Sequence, residues 1–145
     1  MLQEKRITAL SYEYFNDENN FNPFLHVIGE IIGSSAVLIA AEMLNNIFDG
    51  AGIMLGGISG IEPNEIVILG AGISAQCAVR VALGLGAVVK VFDPSIKRLI
   101  HFHNLFGQQL YTSTLNYKTI KKALKTADVV INTPVSYTHL RAHET

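Results

Sequence analysis

Cysteine occurs once in these 145 residues, tryptophan not at all, and charged side chains make up only 16%. The single Cys77 excludes an internal disulfide framework and points to a reducing compartment, the cytoplasm. So little charge is incompatible with a long solvated helix, and an apolar content of 49% is incompatible with a disordered chain. A net charge of −1 implies no nucleic-acid partner. No uninterrupted apolar run approaches the roughly 20 residues of a membrane helix. The richest, Ala36 to Ala41, has Glu30 and Glu42 on either side and reads as a buried helix, so no membrane partner is expected. Glu4, Lys5 and Arg6 precede no clean apolar core, which excludes a signal peptide. Lysine and arginine are missing from Ile7 through Val79, a stretch with eight acids. From Arg80 onward nine cations face three acids, as two halves with different tasks would produce.

What is present alternates. Arg6 to Phe15, rich in β-branched and aromatic residues, predicts a strand. After the turn-rich Asn16 to Asn22, Pro23 opens a long helix over Phe24 to Phe48, apolar on most sides and therefore expected to be buried against more than one surface. Asp49 to Gly60 is a loop with five glycines. The period then changes. Ile66 to Leu69, Val88 to Phe92, Gln109 to Ser113 and Asp128 to Thr133 read as strands. Ser74 to Leu85, Ser95 to Phe106 and Tyr117 to Thr126 read as helices. Lys118, Lys121, Lys122 and Lys125 form the solvated face of the last helix. Strands alternating with helices at this spacing predict an α/β fold, a Rossmann-type doubly wound parallel sheet preceded by a strand and a long helix. Ser136 to Thr145 breaks the rhythm and resembles translated sequencing-adapter sequence. The i, i+4 pair His139 and His143 then carries no meaning, and no metal site is expected.

The chemistry-bearing motif is Gly70-Ala71-Gly72-Ile73-Ser74-Ala75, a G-x-G-x-x-A directly after a buried strand and directly before a helix. Gly70 permits the tight turn, Gly72 lets the backbone approach a pyrophosphate, and small Ala75 brings helix and strand together. The helix start then offers N–H groups and the positive end of its dipole to phosphates. Asp93 ends the next strand, where a carboxylate accepts hydrogen bonds from the adenosine ribose and repels a 2′-phosphate. Cys77, one turn into the helix, reads as a small core residue. His101 and His103 face different sides of their helix, at the surface, and His26 reads as the partner of a neighbouring group.

Four stretches carry a family resemblance: Gly56-Gly57-Ile58-Ser59-Gly60, Ile66 to Ala75, Ala82-Leu83-Gly84-Leu85-Gly86-Ala87, and Asp93 with Arg98-Leu99. Together they resemble bacterial alanine dehydrogenase, whose fold is shared by the alpha subunit of NAD(P) transhydrogenase. The D-x-x-x-x-R-L spacing from Asp93 leans toward the dehydrogenase. The resemblance implies two domains facing each other across a cleft. Residues 1–48 would be the end of the substrate domain with an inter-domain helix, 49–135 a truncated NAD-binding Rossmann domain, and 136–145 a non-native tail. It places Gly70, Gly72 and Ile73 on the pyrophosphate of NAD, Asp93 on the adenosine ribose and Arg98 at the same end. Pro134 and Val135 would lie near a cofactor-contacting loop, and Gly29 stands where some members carry a cofactor-contacting serine. The family's catalytic histidine and aspartate and its substrate-holding lysine and arginine have no counterpart in this chain. The implied role is the NAD(H)-binding portion of an L-alanine dehydrogenase, which deaminates L-alanine oxidatively to pyruvate and ammonia and works as a homo-oligomer. Two other readings stand beside it: the NAD(H)-binding part of a transhydrogenase alpha subunit, and an NAD-binding module without chemistry.

Overall fold

The structure is a computed structural model, and it describes residues 4, 5, 8 and 10–133. Four parallel strands form its sheet: β1 (Glu65–Leu69), β2 (Val88–Phe92), β3 (Leu110–Ser113) and β4 (Val129–Asn132), in the order β3-β2-β1-β4. Helix α2 (Ile73–Gly84) joins β1 to β2, α3 (Ile96–Phe106) joins β2 to β3, and α4 (Tyr117–Thr126) joins β3 to β4. Because side chains alternate across a strand, each sheet face has its own apolar set. Ile66, Ile68, Val89 and Val91 pack with Ala75, Ala78, Val79 and Ala82 of α2 and with Leu99 and Phe102 of α3. On the other face Val67 and Phe92 pack with Ala123 of α4. The sheet is thus covered from both sides, as its continuous apolar strands require.

Ahead of the sheet runs α1 (Pro23–Met43). Asn22 caps it through Leu25 N–H, and Pro23 occupies the first turn, where its missing N–H costs nothing. Gly29, Gly33 and Val37 are its buried residues, and α1 lies along α2 with Val37 in the main core. A Cβ on Gly33 would stand 2.0 Å from the Ser74 carbonyl oxygen, so only glycine allows this approach. The expectation of burial on more than one side is not met. Val27, Ile31, Ile32, Leu38 and Ile39 are exposed, because no described element lies over them. Counted as a helix rather than as an uninterrupted run, Pro23–Met43 is long and apolar enough to cross a membrane, contrary to the expectation from run length.

Two other expectations are corrected. Within Arg6 to Phe15 the described residues hold a 3-10 turn at Tyr12–Tyr14, not a strand. Strand propensity needs a partner edge, and no strand lies beside this segment among the described residues. The long helix ends at Met43 rather than Phe48, because Asn45 starts a separate 3-10 turn (Asn46–Phe48) by accepting the Ile47 N–H. Pro134, Val135 and the segment Ser136 to Thr145 lie outside the described residues.

The glycine-rich loop before β1 closes the end of the sheet opposite the motif. Gly57 N–H donates to the Leu85 carbonyl at 3.0 Å, and buried Asn64 accepts the Gly56 N–H through its side chain. Cβ atoms at Gly56 and Gly57 would fall 2.3 and 2.6 Å from the Leu85 and Gly86 carbonyl oxygens. The two glycine strings singled out in the sequence are therefore one contact.

Candidate functional site

The site is assembled where β1 ends. Gly70 donates its N–H to the Phe92 carbonyl at 2.7 Å, which ties the turn to the end of β2. Its φ of +99° lies in the region that favours glycine. Two residues later Gly72 is the N-cap of α2, with ordinary extended φ and ψ of −95° and −169°. No side chain closes this helix start, and a Cβ on Gly72 would meet nothing within 4 Å. A helix start left without a side-chain cap, with room beside Gly72 and the positive end of the helix dipole behind it, is suited to an anion.

The flanking residues divide by role. Ala75 is fully buried in the main core, where its small size sets the close approach of α2 to the sheet. Ile73 is partly exposed and turns its branched side chain toward Gly29 of α1. Cys77 is buried among core residues, and burial pushes its thiol above the usual range, as befits a packing residue.

Asp93, only 2% exposed, is drawn into the structure more fully than its position in the sequence suggests. Its Oδ2 accepts the Ala71 N–H at 2.7 Å and its Oδ1 accepts the Ser95 N–H at 2.7 Å. Arg98 Nη1 stands 3.7 Å from Oδ2, with the Arg98 side chain 63% exposed. Sequence, strand and helix thus bring Gly70, Gly72, Ile73, Asp93 and Arg98 to one rim of the sheet. On the other side of β1, the Thr133 N–H and hydroxyl both donate to the Leu69 carbonyl at 2.9 Å. The chain leaves β1 toward β2 on one side and returns to it through β4 on the other. Such a switch point at the carboxyl ends of parallel strands forms a crevice.

Beyond Asp93 the rim continues into an open groove that the sequence reading missed. It is lined by Ile96, Leu99, Ile100 and His103 of α3 and by Thr112 to Thr114 at the end of β3. Asp93 N–H donates to the Ser113 carbonyl at 3.3 Å, so groove and carboxylate adjoin. The signal for it was the apolar stripe of α3, which alone reads only as core. His103 lines the groove and His101 does not, in keeping with their different faces; both are exposed. His26 Nε2 lies 3.4 Å from Glu30 Oε1, the neighbouring partner expected of it, whereas its Nδ1 has no hydrogen-bond partner. No cluster of metal-ligating side chains occurs among the described residues.

The family model described as "Alanine dehydrogenase/PNT, C-terminal domain" matches residues 36–138. The chain is 35% identical to an alanine dehydrogenase of Methanococcus maripaludis and 36% identical to one of Bilophila wadsworthia. Each alignment takes in 90% of this chain but only 35% and 34% of the relative, so the chain spans about a third of their length. A solved L-alanine dehydrogenase superposes with a TM-score of 0.80 at 35% identity, over 85% of this chain and 34% of that one.

Proposed function

Because the chain belongs to the alanine dehydrogenase/PNT family, by the match to its C-terminal domain, we propose that it is the NAD(H)-binding part of an L-alanine dehydrogenase. The parent reaction is L-alanine, NAD and water to pyruvate, ammonia and NADH. In this reading residues 1–48 are the end of a substrate domain with its inter-domain helix, and residues 49–135 belong to the cofactor domain. The observation that carries it is the uncapped start of α2 beneath bare Gly72, beside buried Asp93. That space fits a pyrophosphate, which needs converging N–H donors and no Cβ in the way.

When bound, the nicotinamide cofactor supplies the hydride acceptor. The residues of this chain bind and orient. The Gly72, Ile73 and Ser74 amides hold the pyrophosphate, and Asp93 faces the adenosine ribose, where its charge opposes a 2′-phosphate. Exposed Arg98 lies at the same end. The groove of Ile96, Leu99, Ile100 and Thr112 to Thr114 has the apolar wall and polar rim that a flat heterocycle needs. In this reading acid–base chemistry on the substrate belongs to other parts of a full-length, oligomeric, cytoplasmic enzyme.

Calorimetric titration of the purified chain with NAD and NADP tests this. NAD should bind and NADP should bind at least about tenfold more weakly, a difference of about 1.4 kcal/mol. No alanine-dependent NADH formation should be detectable. Equal affinities would remove Asp93 from the discrimination, and absence of NAD binding would overturn the reading.

A further inference from the structure

A buried carboxylate with both oxygens engaged inside the protein has work to do before any ligand arrives. Asp93 Oδ2 holds the N–H of Ala71, the residue between the two glycines of the turn. Its Oδ1 holds the N–H of Ser95, the N-cap of α3. One side chain thus joins the turn after β1 to the turn after β2. Gly70 N–H, bound to the Phe92 carbonyl, ties down the preceding residue in the same way. Gly72 comes next and faces open space. The free part of the turn therefore begins immediately after the amide that Asp93 fixes.

We propose that Asp93 is a positioning residue for the phosphate-binding turn: its carboxylate keeps hold of the Ala71 N–H while cofactor is bound, and so aims the Gly72 and Ile73 amides at the pyrophosphate. This rests on the cofactor reading above and deepens it, adding to the ribose contact an action through the backbone. Ala71 is only 5% exposed, so an Asp93 that swung toward a ribose would leave a buried N–H without an acceptor. Each carboxylate oxygen has a second lone pair, so one oxygen can serve the Ala71 amide and a ribose hydroxyl together. Asparagine cannot replace it. However its amide turns, an NH2 group faces one of the two N–H donors.

The chain and its Asp93→Asn variant are titrated with adenosine, ADP and NAD, following amide shifts by NMR. All three probes carry the same ribose, and only ADP and NAD carry a pyrophosphate. A role confined to the ribose weakens all three in equal proportion. Positioning weakens ADP and NAD about tenfold more than adenosine. Equal losses overturn the proposal. A second measurement needs no variant: the Ala71 amide should resist hydrogen exchange both in the free chain and in the chain saturated with ADP. Loss of that protection on adding ADP would also overturn it. A wild-type chain that binds none of the probes defeats the cofactor reading and this proposal together. A wild type that binds, with either negative result, defeats this proposal alone.

Discussion

At the C-terminal end of α2, Gly56 and Gly57 press against the Leu85 and Gly86 carbonyls; at its N-terminal end, Gly72 looks onto empty space. The first pair is glycine because protein backbone already fills the place of a side chain. Gly56 also has a φ of +131°, which side chains rarely adopt. Gly72 has an ordinary φ and no neighbour, so nothing inside the described protein demands glycine there. A glycine that the fold needs marks packing. A glycine that the fold does not need, at an open helix start, marks room kept for something else. Gly33 stands between these cases, filled like Gly56 yet placed against Ser74 in the first turn of α2, at its open end.

Three substitutions measure the contrast. Gly56→Ala combines strained φ with a backbone collision and should cost about 3 kcal/mol or more in urea denaturation. The NAD affinity of the molecules that remain folded should stay unchanged; a selective loss of affinity would erase the distinction between the ends. Gly33→Ala should cost about 2 kcal/mol, since α1 must move off Ser74. It should also weaken NAD severalfold through displacement of the first turn, and an effect on stability alone would assign Gly33 to the packing class. Gly72→Ala has the smallest effect on stability, under about 1 kcal/mol. It should nevertheless weaken NAD about tenfold or more, because the new methyl occupies the approach of the pyrophosphate. Tight NAD binding by this last variant would break the comparison outright.

How far these properties could be read from the sequence depends on the range of the forces involved. The expected spans Val88 to Phe92 and Tyr117 to Thr126 coincide with β2 and α4. The other strands and crossover helices differ by a residue or so at their ends. Their apolar periods are local signals, and the sheet supplies the partners those periods anticipate. The turn at Tyr12–Tyr14 went unread because strand formation depends on an edge that no local pattern announces. The one-sided burial of α1 was equally hidden, since Ile32 and Gly33 are adjacent in sequence and only the position of α2 decides which is covered. At the site, motif spacing placed Gly70, Gly72 and Asp93 on one rim. It said nothing of the Asp93 bond to Ala71, which joins residues 22 apart, nor of the groove between α3 and β3.

The sheet order carries a consequence for how the polypeptide is made. Of the four described strands β4 is the last to be made, yet it pairs with β1, the first of them. Their register is pinned by Asp128, whose Oδ2 accepts the Glu65 N–H across a separation of 63 residues, while its own N–H returns to the Glu65 carbonyl. β1 can pair with β2, and β2 with β3, as soon as each intervening helix is complete. The opposite edge of β1 must wait for Asp128 through Thr133. During that interval a nascent chain displays an unpaired strand edge whose side chains from Ile66 to Leu69 are all apolar. Closing so long a loop is slower than adding a neighbouring strand. Aggregation during synthesis is therefore expected to start at Ile66 to Leu69, at the strand that later becomes one of the most protected parts of the molecule.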